Sequence, residues 1–175
     1  EEYDCVLLDE AQAGYLAARH LIEQGNERLG FLYRYQVAYS LPRRLEGVRR
    51  AARDAGAPEP EVYRRESDEQ TLETLRAWRG RGVTGIVVFC DIEALQLVSL
   101  LREVGMDGDF SLIGFDNIER VLGLPTPLCT VDGSLETMAQ KAFERLDQRI
   151  RGDSSPCGTV MLPARVVCRG SCRRK

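Results

Sequence analysis

The sequence is poor in lysine and histidine: lysine occurs only at Lys141 and Lys175, and His20 is the single histidine. The basic residues are thus almost all arginine, which reads as codon bias and not as a nucleic-acid signal. With one histidine, placed on the apolar face of the first expected helix and read as a packed residue, a Ser- or Cys-based nucleophile lacks a base. No Gly-x-Gly-x-x-Gly follows a strand, and neither a Walker A loop nor Gly-x-Ser-x-Gly is present, which removes dinucleotide, P-loop and α/β-hydrolase chemistry. An Asp9–Asp91 pair for glycoside cleavage has no supporting flanking pattern. No stretch approaches ~18 apolar residues, so no membrane-spanning helix is expected. The opening EEYDC has neither a basic nor an apolar leader region, and position 1 is not Met, so residues upstream of this segment are expected. None of the six cysteines (Cys5, Cys90, Cys129, Cys157, Cys168, Cys172) forms a C-x-x-C pair. The Cys168–Cys172 spacing has no His or Cys set beside it in the chain, so neither a metal site nor a cofactor is expected.

What is present is an ordinary globular composition. The chain has 175 residues, 43% hydrophobic and 29% charged, enough for one domain or one large domain plus a fragment. The net charge of −3 argues against a nucleic-acid-binding surface on this piece. Short apolar runs alternate with amphipathic stretches. Strands are expected over 5–9, 29–33, 61–64, 83–89, 110–115, 128–131, 159–162 and 165–168, with an irregular crossing over 122–126. Helices are expected over 13–24, 42–55, 69–79, 92–104 and 135–151. The last helix, with Ser134 as its cap, should turn Leu135, Met138, Ala139, Ala142, Phe143, Leu146 and Ile150 inward. Strand–helix alternation with short links predicts an α/β fold: a parallel sheet flanked by helices on both faces.

Ligands of such sheets bind outside the carboxyl ends of the strands. The loops there carry Asp9, the segment 33–44 with Arg43 and Arg44, the segment 66–68 with Asp68, Cys90-Asp91 and Asp116-Asn117. Carboxylates accept from hydroxyls and arginine donates in a fixed fork, which suits a polyhydroxylated or nitrogen-rich small molecule. Each residue also has a plainer reading. Asp91 and Asp68 open helices and could be caps. Arg43 and Arg44 share a helix with Arg49, Arg50 and Arg53, so a solvated basic face accounts for most of them.

Several motifs then occur in one order. LDEAQAGYLAARHLIEQGNERLGFL, SLPRRLEGVRRAARDAG, FCDIEALQLVSLLREVGM, SLIGFDNIERVLGLPTPLCTV and LPARVVCRGS resemble successive segments of the LacI/GalR family of bacterial transcriptional regulators. The resemblance spans nearly the whole chain. It implies a periplasmic-binding-protein-like fold of type I, with one complete lobe and part of the second. The implied division is 1–28 as the last strand and helix of the N-terminal lobe, 29–122 as the C-terminal lobe, and 123–175 as crossover, returning segment and final strands. It further implies a small effector, a sugar or nucleoside-like molecule, held between lobes. A homodimer would read operator DNA through an amino-terminal helix-turn-helix outside this segment, in the cytoplasm. Carried over by position, Arg44 and Asp91 match effector-contacting residues, Asp68 lies on a ligand-facing loop and Gln12 aligns with an inter-lobe contact; with Asp9 these five are the expected effector-binding residues, while Asp116-Asn117 take a structural role at the crossing. Asn26 and Cys90 depart from the family pattern, and Leu97 or Val98 stands at a usual glycine, so an unusual effector or a lost response is implied. A periplasmic-type sugar-binding protein of the same fold is the alternative.

Overall fold

A computed structural model describes residues 3–35, 38–118 and 127–172. The elements run β1 (Cys5–Leu8), α1 (Glu10–Glu23), β2 (Leu29–Tyr33), α2 (Ser40–Asp54), β3 (Glu61–Arg64), α3 (Asp68–Gly80), β4 (Gly85–Val88), α4 (Asp91–Glu103), β5 (Ser111–Phe115), β6 (Cys129–Asp132), α5 (Leu135–Ile150), β7 (Thr159–Leu162) and β8 (Arg165–Val167). Every described strand and helix expected from the sequence is present. The crossing expected over 122–126 lies outside the described residues.

The principal sheet has six strands in the order β3-β2-β4-β5-β6-β8, parallel except for β8. Its central strands are apolar at nearly every position because both faces are covered. Phe31, Val87, Ile113 and Phe115 point to the side of α1 and α2. Leu32, Ile86, Val88 and Leu112 point to the side of α3 and α4. This period-two division follows from the pleat. On the second side Trp78 lies so close to β2 that a Cβ at Gly30 would sit 2.3 Å from its ring. The chain leaves β2 in one direction to β3 and returns to β4 on the other flank, which creates a switch point between β2 and β4 at their carboxyl ends.

The helix ends have local causes. Asp9 caps α1 by accepting from the Gln12 amide at 2.9 Å, so α1 begins three residues before the expected start. Ser67 caps α3 through the Gln70 amide. Ser134 is not a side-chain cap: it sits at φ 50° without bonding an α5 amide, and its Oγ meets Thr137 Oγ1 instead.

β1 and β7 form a separate two-stranded parallel sheet. Of residues 1–28, β1 joins the small sheet, whereas α1 packs its Ala13, Ala17, Ala18 and Leu21 against the principal sheet and α2. Within 123–175, β6 and β8 likewise join the principal sheet. The inward face expected for α5 is also corrected. No α5 residue is buried, and Phe143 and Ile150 are 69% and 75% exposed. The amphipathic period is real, but two strands are too narrow to cover it.

Candidate functional site

α1 and α2 cross at glycines. A Cβ on Gly14 would lie 2.0 Å from the Arg44 carbonyl oxygen, and one on Gly47 2.0 Å from that of Ala11. This backbone-to-backbone contact carries the first turn of α2 over the start of α1 and sets Arg44 against Glu10. Periodicity does the rest. Glu10 shares the buried face of α1 with Ala13, Gly14, Ala17 and Leu21. Arg44 shares that of α2 with Val48, Ala51 and Ala52.

Arg44 is buried and held on every side. Its Nε donates to Glu10 Oε2 at 2.6 Å, Nη2 to Glu10 Oε1 at 3.3 Å, and Nη1 to the Phe89 carbonyl at 2.6 Å. The guanidinium lies 4.2 Å from the Phe115 ring centroid and 4.8 Å from that of Phe89. One edge remains toward Asp116, whose Oδ1 is 3.7 Å from Nη2. Asp116 ends β5 in the left-handed region at φ 95°, a strained conformation for a residue with a side chain. Its side chain is 42% exposed. Desolvation pushes its carboxyl above the usual range, against the pull of Arg44. Arg44, Glu10, Phe115 and Asp116 line a cavity of about 130 Å³ whose other wall is Leu8, Leu135 and Met138. The cavity therefore lies between the principal sheet and the small β1–β7 layer.

The remaining residues singled out from the sequence go elsewhere. Asp91 is buried and opens α4 as its first residue, with Cys90 in the cap position and no side-chain cap bond. Its Oδ2 accepts from Thr130 Oγ1 at 3.0 Å and from the Ile118 amide at 3.1 Å, which ties α4 to β6 and to the segment after β5. Gly114 leaves room for it: a Cβ there would lie 2.2 Å from Asp91 Oδ1. Burial raises the Asp91 carboxyl to about 7, with Thr130 and Ile118 opposing. Asp68 lines a different and larger groove of about 540 Å³ with Arg34, Arg65, Gln96 and Glu103. It accepts from Arg65 there at 2.6 Å. Gln12 accepts from Arg50 on the outer surface of the α1–α2 pair. Asp9 is the α1 cap, and its amide donates to the Leu162 carbonyl of β7 at 3.0 Å. The structure thus brings Arg44 and Asp116 together, and leaves Asp68, Gln12, Asp91 and Asp9 outside that cavity's lining.

Sequence reasoning passed over Glu10, Asp116's place beside Arg44, and Glu93. Glu93 is buried in the first turn of α4 and accepts from the Arg34 amide at the switch point. Burial raises its carboxyl, which Arg34 and Arg65 oppose. One signal was available: charges at Glu10 and Glu93 fall in register with apolar helix faces. Of the basic residues on α2, Arg44 alone is buried, while Arg43, Arg50 and Arg53 are exposed and Arg49 pairs with Glu59.

The comparisons with known proteins agree with this fold. Residues 18–172 match the model of the periplasmic binding protein-like domain. The HTH-type transcriptional regulator GalR of Escherichia coli K12 is 34% identical over 150 residues, covering 82% of this chain and 44% of GalR. The HTH-type transcriptional regulator MalR of Streptomyces coelicolor is 28% identical over 172 residues, covering 93% of this chain and 50% of MalR. The chain spans about half the length of these curated relatives. A LacI family transcriptional regulator from Enterococcus faecalis V583, solved with bound ribose, superposes with a TM-score of 0.84 at 25% identity over all of this chain and 66% of the other. The parallel sheet, its helical layers and these matches establish that the chain belongs to the LacI/GalR family, as its periplasmic-binding-protein-like effector-binding domain.

Proposed function

We propose that this chain senses a small polyhydroxylated molecule, a sugar or nucleoside-like compound, for a DNA-binding transcriptional regulator. The observation that carries the reading is the Arg44–Asp116 pair at the edge of the cavity between the two sheets. Arg44 is pre-oriented by Glu10 and the Phe89 carbonyl, so little rotamer freedom is lost when it meets a ligand hydroxyl. Asp116 is the exposed acceptor beside it. A donor and an acceptor side by side match the vicinal hydroxyls of a sugar. The ribose in the Enterococcus faecalis regulator supports the substrate class. Asp91 would position this site through Thr130 and the Ile118 amide, and Asp9 through the start of α1, whereas Asp68 faces a separate groove and Gln12 the outer surface.

The mechanism follows from the layers. A ligand gripping both walls shifts the angle between the small and the principal sheet. In a dimer that angle would set the spacing of DNA-binding segments outside this chain, in the cytoplasm. A coupling of about 1–3 kcal/mol suffices. The matched relatives are transcriptional regulators, which favours this reading over a transport protein.

Thermal unfolding with a panel of pentoses, hexoses and nucleosides tests the assignment. A ligand at a hundred times its Kd adds about 2.7 kcal/mol. Asp116→Ala is the informative variant, because Arg44→Ala would leave buried Glu10 unpaired at a cost of about 3–5 kcal/mol. The expected result is a ligand-induced rise in Tm that Asp116→Ala abolishes while the ligand-free Tm is kept. An equal rise in the variant, or none across the panel, would remove the assignment.

A further inference from the structure

The end of the principal sheet away from the cavity gathers groups that the effector site does not use. β6 begins at Cys129, and β8 runs antiparallel to it with Thr130 opposite Val167, so Cys168 comes up beside Cys129. Their sulfurs are 3.6 Å apart. The turn after β8 then folds back, with Gly170 at φ 100°, and returns Cys172 to the same place. His20, near the carboxyl end of α1, completes the group from the helical layer. His20, Cys129 and Cys172 each present a ligand atom, and these atoms lie within 4.8 Å of one another. Three side chains, from a helix, a strand and the turn after β8, thus converge on one point, with Cys168 beside Cys129.

Two independent observations say that this is more than thiols packed in a core. The Nε2 of His20 is shielded from solvent and has no hydrogen-bond partner, which is costly for a polar ring atom unless something fills the place. The Cys129 sulfur, by contrast, already accepts from the Arg169 amide at 3.3 Å, as a thiolate ligand does in its outer shell.

We propose that His20, Cys129 and Cys172, closed by Cys168, form a site for one thiophilic divalent cation of the zinc class. Tetrahedral Cys₃His coordination places sulfurs at about 2.3 Å and nitrogen at about 2.0 Å from the metal, hence sulfurs roughly 3.8 Å apart. The Cys129–Cys168 separation of 3.6 Å is near that value, and the atoms of His20, Cys129 and Cys172, within 4.8 Å of one another, close by about an ångström. On binding, three thiols release three protons to solvent, the neutral imidazole donates its Nε2 lone pair, and no electron is transferred. Cys172 gives up its hydrogen bond to the Leu112 carbonyl. The cation would pin the carboxyl-terminal turn to β6 and α1. Cys168 is exposed and supplies the route of entry.

Cobalt(II) is the probe. Added to the reduced, metal-free protein, one equivalent per chain is expected to give tetrahedral d–d bands and a sulfur-to-cobalt charge-transfer band, both bleached by zinc. Cys129→Ser, Cys172→Ser and His20→Asn should lose them. Cys168→Ser should retain binding with about a third less charge-transfer intensity. His20→Cys should restore binding with added intensity, a result that a packing role for His20 does not give. Cys5→Ser and Cys157→Ser should match the parent. Absence of the charge-transfer band in the parent overturns the proposal, as does a band indifferent to Cys129→Ser and His20→Asn. So does a Cys129–Cys168 disulfide in a protein whose reduced form takes up no cobalt.

Discussion

At the scale of single residues, the same side-chain type does different work according to what surrounds it. Asp116 and Asp91 both follow or face β5, yet one is half open beside Arg44 and the other is sealed under Gly114. Burial raises Asp91 to about 7, so the folded chain holds a proton that the unfolded chain would have released. Stability contributed by this proton is complete below about pH 4 and is lost as pH rises toward 7. Denaturant titrations across that interval should therefore show falling stability, and Asp91→Asn should flatten that part of the profile. A profile with the same slope in both proteins would show that Asp91 is not the group responsible. The sequence marked Asp91 as special but could not say why. Its partners, Thr130 and the Ile118 amide, lie 27 or more positions away and are brought near only by strand order. Arg44 was legible as a candidate only through its match to the family's effector-contacting arginine, since its helix otherwise read as a solvated basic face; its pairing with Glu10 depends on the α1–α2 crossing.

At the scale of elements, strand and helix positions were readable because each rests on a local cause, an apolar run buried on two faces or an amphipathic period, while the Asp9 cap that starts α1 early was missed. What periodicity could not supply was the thing each face meets. The stripe on α5 is as regular as that on α1, and only α1 is covered. The α1–α2 crossing shows how narrow the tolerance can be. Gly47→Ala would force a methyl group against the Ala11 carbonyl, so the helices must part and Arg44 must leave Glu10. A cost of about 3 kcal/mol is expected, or a Tm lower by roughly 6–12 °C. Gly56→Ala offers the contrast. No atom lies within 4 Å of its added Cβ, so only the strain of φ 68° is felt. Equal losses at the two positions would mean that backbone conformation, not the crossing, sets the penalty.

At the scale of the molecule, the two sheets are unequally finished. The principal sheet has its helical layers on both faces, whereas the α5 side of the small sheet exposes Leu135, Phe143, Leu146, Ile150 and Met161. Exposed apolar side chains in this number drive association where they share one face. Sedimentation of the 175-residue chain is expected to show self-association at micromolar concentration, reduced in a Phe143→Glu/Leu146→Glu variant. A monomer throughout would mean that the surface is too dispersed to bind another copy. The packing of Trp78 against Gly30 has an optical consequence. It is the single tryptophan, and it sits on the α3–α4 side of the sheet, away from Arg44. Its emission should be blue-shifted in the native state and should move to the red when the sheet opens. A sugar entering beside Asp116 would leave that colour unchanged, so intrinsic fluorescence follows unfolding without interference from the ligand under study.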